Sequence, residues 1–230
     1  MAKHDKTIII LDKYKLRVKQ LKTHITLLLV ANQDNSVEIV YYQGVLKSTE
    51  DKIEELEKQL KENKMKNDLE EAYNQAVYDL TEFIVHRTKN SKFVVSEATT
   101  NNFKEFKEET IKNQGVINIS LEGSDNTIYG NKYVNTLARV WHDEIHITHN
   151  LSFNEFDEAV VAKVQKEEVY QYFKNKGVYF RGFLASHLIY LDIMEQVKYY
   201  KENKEYVVNQ NDFIKKAFVN SLSVKEGWMQ

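Results

Sequence analysis

The chain contains no cysteine, no proline and only seven glycines in 230 residues. Without thiols there is no disulfide, no thiolate-bound zinc or iron–sulfur cluster and no cysteine nucleophile, so a metal would have to be held by histidine, carboxylate or amide groups. Long apolar runs are missing as well. The longest, around Leu27 to Ala31, falls far short of the ~20 residues that cross a bilayer, and the amino-terminal MAKHDKTIIIL has too short an apolar stretch for a secretion signal. A soluble, cytoplasmic protein without a membrane segment is expected. The formal net charge of -2, with 29% charged residues, gives the chain as a whole no attraction for a polyanion, so any nucleic-acid contact has to be local. Proline is absent where about 5% is usual. With the abundant Lys, Asn, Glu, Ile and Tyr, this fits an AT-rich coding sequence of phage or low-GC bacterial origin.

What is present predicts a mostly α (α+β) fold: a small N-terminal β-rich segment at 1–47, a helical hairpin arm at 48–90 and a mainly helical domain at 91–230. Lys13, Lys15, Arg17 and Lys19 alternate with apolar residues, which in an extended strand places all four cations on one face. That face is the one place where nucleic acid could bind. Ile25 to Ala31 and Val37 to Tyr42, around Asn32-Gln33-Asp34-Asn35-Ser36, read as a hairpin, with a helix capped by Ser36 as the competing reading. From Ser48 the period becomes helical through Ile53, Leu56 and Leu60. Asn63 to Asn67 suggests a break, and Leu69, Ala72, Ala76, Leu80 and Phe83 mark a second helix ending near His86. Lys92 to Ala98 and Val116 to Leu121 read as strands, with a helix between them from Thr100 to Asn113 that turns Phe103, Phe106 and Ile111 inward. Gly123 to Thr127 is a loop, with a phosphate cradle as the alternative to a plain turn.

The most informative segment is Asn131 to Asn150. Leu137, Val140, Trp141 and Ile145 supply a buried side, while Asn135, Arg139, His142, His146 and His149 recur at steps of four, three, four and three along one stripe. Imidazoles at i and i+4 can grip one divalent ion, and Asp143 adjoins them as a carboxylate ligand or as an acceptor that orients them. Arg139 could hold a phosphate or carboxylate of a substrate. A new helix is expected immediately, from a capping box of Ser152 and Glu155 to a stop at Gly177, with Phe156, Val160 and Val164 in the core. The short connection makes the two helices antiparallel, bringing Glu158 beside the histidines as an extra ligand or general base. A third helix, Gly182 to about Asn203, carries His187 among leucines, and then Asp192.

The run from Arg139 to His146, with Phe153, Glu158, Val161-Ala162 and Gln165, resembles a pattern in uncharacterised bacteriophage proteins over roughly residues 115–190. The order His86, His142-Asp143, Asp192 is also similar to the HD-domain metal-dependent phosphohydrolases, although Ile145 stands where that family commonly has glycine. That resemblance implies an all-helical divalent-metal site. His24-Ile25-Thr26 and His146-Ile147-Thr148 match the His-x-Thr tripeptides of two-histidine phosphoesterases, but the second copy lies in a helical segment.

The expected function is a metal-dependent hydrolase, directed at a phosphoester, with His142, Asp143 and His146 on a divalent ion and Arg139, Glu158 and His187 in catalysis. The alternative is a non-enzymatic phage accessory or virion protein whose hairpin arm binds a host or structural protein.

Overall fold

The structure, a computed structural model, describes residues 3–30, 36–96, 100, 102–120 and 126–223. They form seven helices and one two-stranded sheet: α1 Lys3–Val30, α2 Ser36–Thr88, β1 Phe93–Ser96, α3 Phe103–Lys112, β2 Ile117–Ser120, α4 Lys132–His149, α5 Glu155–Asn175, α6 Tyr179–Asn203 and α7 Gln210–Ser223. The mostly α fold class with a small β element is what the sequence predicts. The chain divides into two compact units, residues 1–68 and 69–230.

In the first unit, α1 and the start of α2 run antiparallel. Lys15 pairs with Glu57 and Lys22 with Glu50, each at 2.8 Å, and the His24 ring meets Tyr42 edge-on. The N-terminal β element is therefore corrected to helix. Leu11, Tyr14, Val18, Leu21 and Ile25 recur at three and four residues, and Leu11 and Ile25 are buried. This stripe of five residues extends from position 11 to 25 and outweighs the briefer alternation at Lys13 to Lys19. The basic β-surface disappears with the strand: in a helix Lys13 and Arg17 share one side while Lys15 and Lys19 turn to another. The helical reading from Ser36 is the one that forms, and Asn32 to Asn35 lie outside the described residues. The break expected at Asn63 to Asn67 does not occur either. Those residues include neither glycine nor proline, and α2 continues through them.

In the second unit, β1 and β2 pair in parallel, Phe93 against Ile117 and Val95 against Ile119, with α3 as the crossover. Phe106 is buried beneath it, but Ile111 is exposed and not inward as its spacing suggests. The loop residues Gly123 to Asp125 are outside the described set. Two apolar cores meet at α4. Val140 belongs to a small core with Phe106, Ile117 and Ile119; Leu137, Trp141 and Ile145 belong to the larger one with Leu80, Phe83, Phe173 and Leu188. Polar anchors fix the helices around it. Arg87 at the end of α2 bonds Glu144 on α4 at 2.9 Å and Glu168 on α5 at 3.1 Å, and Glu168 also accepts from the Trp141 indole. Fully buried Asp79 takes the Arg181 guanidinium as a bidentate pair.

Helices α5 and α6 turn back on each other at Gly177, whose φ of +76° is the left-handed cap its sequence position suggests. Their approach is so close at Gly182 that an added Cβ would stand 2.8 Å from Phe173 Cβ and 3.3 Å from the Tyr170 carbonyl oxygen. In an open helix, glycine to alanine gains about 1 kcal/mol. Here the sign reverses: Gly182→Ala is expected to lose about 1–3 kcal/mol through overpacking, measured by urea denaturation. An unchanged or raised midpoint would show the two helices to be less tightly packed.

Candidate functional site

Helix α4 begins where the Asn131 side chain accepts the N–H groups of Tyr133 and Val134, and ends at Asn150 in the left-handed region, φ 53°. That cap shapes the site. It folds the chain so that Leu151 N–H donates to the His146 carbonyl at 2.9 Å, and the Leu151 carbonyl in turn accepts from His146 Nδ1 at 3.1 Å. Helix α5 then starts at Asn154, which accepts the Asp157 N–H, while Asp157 accepts from Ser152 N–H, Ser152 Oγ and Asn154. The cap is thus Asn154 with Asp157, in place of the expected Ser152 and Glu155. Glu158 follows in the first turn, where the helix dipole favours a carboxylate. Phe156, expected in the core, is exposed, because the buried stripe of α5 runs through Val161, Gln165 and Val169 on the opposite side of the helix.

Three side chains converge. His142 Nε2 lies 3.0 Å from His146 Nε2 and 3.2 Å from Glu158 Oε2, and His146 Nε2 lies 3.4 Å from Glu158 Oε1. Each imidazole is held from behind: His142 Nδ1 bonds the buried Gln165 Oε1 at 3.1 Å, and His146 Nδ1 bonds Leu151 O. A backbone carbonyl only accepts, so His146 carries its proton on Nδ1, and the amide oxygen assigns His142 the same tautomer. When both rings are neutral they therefore present Nε2 lone pairs toward one another and toward a carboxylate, and a ring that gains a proton donates from Nε2 to Glu158. Such a set calls for positive charge at its centre. A tetrahedral ion with bonds of about 2.0–2.1 Å sets its ligand atoms about 3.3 Å apart, close to the spacings found. These three residues form the one group of at least three His, Asp or Glu side chains suited to a metal ion among the described residues.

Surroundings differ on the two sides. His146 is fully buried, with Phe153 and Phe103 packed on its ring. His142 and Glu158 instead open onto a cavity of about 520 Å³. Its wall includes Asn135, Arg139, Gln165, Tyr129 and Asp192. Asp192 is buried and accepts from Tyr129 Oη at 3.1 Å and Gln196 Nε2 at 2.8 Å; burial pushes its carboxyl up to about 6 against those two bonds. The Asn135 side chain is buried as well, and its Nδ2 has no hydrogen-bond partner.

The residues singled out by sequence are thus only partly brought together. Asp143 lies about 100° round the helix from His142 and outside the convergence; Glu158 supplies the carboxylate in its place. Asp143 remains within electrostatic reach of both histidines, Glu158 and Arg139, and burial pushes its carboxyl up to about 6 despite the cations. Arg139 faces the cavity and bonds the Ser120 carbonyl at 2.6 Å, tying α4 to β2. His187 lies elsewhere: it precedes Asp192 by five residues, about 140° round α6, stacks on Phe183 and bonds Ser221 Oγ at 2.7 Å. His86 packs on Tyr172, and His149 is exposed. His24 and His146 both stand on helices. Asn135 stands on the polar stripe of α4 and Gln165 on the Glu158 stripe of α5, while Tyr129 and Gln196 carry no sequence signal of a place in the site. Gln165 could have been found, because it shares a stripe with Glu158 two turns earlier.

Burial works against charging His142, but the hydrogen bond and negative charge of Glu158 prevail and raise it to about 9. Burial likewise works to raise Glu158, and the bonds from both imidazoles overcome it and hold its carboxyl at about 2. The raised histidine stabilises the fold fully below about pH 6.5 and loses that contribution as pH rises through about 9. The lowered carboxylate stabilises above about 4.5 and loses that as pH falls through about 2. With chelator present, the melting temperature is expected to fall from pH 7 to 9.5, and the fall should be absent in Glu158→Gln; equal slopes would refute the pairing. Set against protein-family models, curated proteins and solved structures, the chain matches none of them.

Proposed function

We propose that the protein is a divalent-metal-dependent hydrolase, with His142, His146 and Glu158 as the metal ligands and a phosphoester as substrate. One observation carries this reading: two Nε2 lone pairs and a carboxylate converge, with both Nδ1 groups tethered, on the floor of a cavity. Three protein ligands with a side open to a cavity is the arrangement of a catalytic ion; structural sites are closed by a fourth protein ligand. Zinc is the ion best suited to this nitrogen and oxygen set. It would lower the pKa of a bound water toward neutrality. Asp143 matches only in sequence position the general-base carboxylate of the His-Glu-x-x-His zinc pattern, since its side chain does not line the cavity. In hydrolysis the water oxygen bonds to phosphorus and the ester P–O bond breaks with its electron pair on the leaving oxygen. The proton released by the water would pass to that oxygen. Arg139, Lys201 and Lys204 line the cavity and favour an anionic substrate over a neutral peptide.

Calorimetric titration of the chelator-treated protein with zinc should give one site. Changing His142 or His146 to alanine should abolish it, and Gln165→Ala should weaken it about 10–100-fold through the lost tether. Zinc-loaded protein should cleave bis-p-nitrophenyl phosphate and leave casein intact. Absence of a zinc site would end the metal reading, and cleavage of casein alone would end its phosphoester part.

A second reading concerns residues 1–68, as a surface for a host or structural protein. Its support is the exposure of Ile8, Ile9, Ile10, Leu16, Leu27 and Leu29 on α1. Light scattering should then give a mass above the 27.1 kDa of one chain, reduced to that value by Leu16→Lys with Leu27→Lys. A single-chain mass before substitution would exclude self-association and leave a different protein as the required partner, to be sought by crosslinking.

A further inference from the structure

Beyond the metal ligands, the same cavity has an outer wall that the hydrolase reading does not use. Tyr200 near the end of α6 and Tyr206 just after it stack with ring centroids 4.8 Å apart and planes 29° from parallel. Tyr206 remains 74% exposed, so one flat face of the pair is left to water. Lys201 and Lys204 lie between them in sequence, both exposed, and all four residues line the cavity whose floor holds His142 and Glu158. Lys201 pairs with Glu155 at 2.9 Å, an exposed pair that an anion can compete for at little cost. On the inner wall, Asn135 and Arg139 stand one helical turn apart on α4, on the stripe that continues to His142. Asn135 Nδ2 is a buried donor with no acceptor, a rarity that an incoming ligand oxygen would relieve.

An exposed aromatic face, several cations and an orphaned amide donor within one cavity of about 520 Å³ select a ligand that is flat at one end and anionic at the other. We propose that the cavity takes a nucleotide, its base on the outer face of Tyr206 and its phosphate among Arg139, Asn135 and the metal ligands. The position of the phosphate rests on the hydrolase reading above. The place of the base rests only on the tyrosine pair and its lysines. A free nucleotide and the end of a single strand share this chemistry, because stacking on tyrosine is tolerant of sequence.

The test is fluorescence anisotropy of the full chain with a fluorescein-labelled single-stranded oligothymidylate, in chelator and again with zinc. Parallel zinc calorimetry and competition by thymidine monophosphate complete it. Tyr206→Ala, on an exposed turn, should weaken oligonucleotide binding roughly 5- to 150-fold without altering the zinc isotherm. Changing Lys201 and Lys204 to alanine should lower the slope of log K against log salt by about 0.7 for each lysine in contact with phosphate. Competition by thymidine monophosphate at similar affinity would assign the cavity to free nucleotides, and its failure to compete would assign it to strands. Zinc binding without oligonucleotide binding, or Tyr206→Ala binding as tightly as the unaltered chain, would overturn this proposal and leave the metal reading standing. Tyr206-dependent binding with no zinc site would do the reverse.

Discussion

The positive charge demanded by two facing imidazoles and a carboxylate is the constraint around which the second unit is arranged. The rings cannot relax by exchanging tautomers, because the Leu151 carbonyl and the Gln165 amide oxygen hold a proton on each Nδ1. Nor can His146 swing out to water, since Phe103 and Phe153 pack on it and it is fully buried. Without an ion the centre takes a proton, which is why His142 is raised to about 9 and Glu158 lowered to about 2. On the proposed metal reading, a proton and a divalent ion would compete for one position, and metal binding there would be coupled to proton release.

That centre keeps its geometry because α4 is buried on two sides. Val140 locks into the small core under the parallel strands while Trp141 and Ile145 lock into the large helical one, so the helix cannot rotate to release its polar stripe. Arg87 adds a second restraint by joining, through Glu144 and Glu168, the helices α4 and α5 that carry His142, His146 and Glu158. The Asn150 cap contributes a third, because the turn that ends α4 also supplies the carbonyl that orients His146. Packing, capping and ligand orientation thus share the same residues, and damage to any of them reaches the site.

Much of this second unit was legible in the sequence. The α4 stripe, its short connection to α5 and the arrival of Glu158 beside the histidines follow from spacing alone, and Gly177 announces the end of α5. The role of Asp143 was misjudged because adjacency in sequence is about 100° of rotation on a helix, whereas Glu158 reaches the same point from a neighbouring helix. His187 was misplaced for the same reason: its leucine neighbours showed burial but not which core it faced. The first unit shows the opposite failure. Four alternating cations made a short strand signal that concealed a longer stripe at three- and four-residue steps from Leu11 to Ile25. The tyrosine pair at the cavity mouth gave no sequence signal, since Tyr200 and Tyr206 meet only because the chain turns after Asn203.

Three carboxyl groups near the cavity illustrate how environment divides one chemistry. Burial opposes ionisation of all three, but only Glu158 receives bonds from two imidazoles, and it alone is held far below its ordinary range; Asp143 and Asp192 are pushed up to about 6. On the proposed metal reading, the charge at the centre would follow from that division. A divalent ion among two neutral imidazoles and one carboxylate keeps one net positive charge, and Arg139 on the same wall adds to it. Arg139, Lys201 and Lys204 share the lining with Glu155, Glu158 and Asp192, of which Glu155 is paired with Lys201 and Asp192 is pushed up to about 6, so these cations are what would draw an entering anion. On the proposed reading, that balance of charge, more than the identity of the three ligands, is what would favour a phosphoester over a neutral amide.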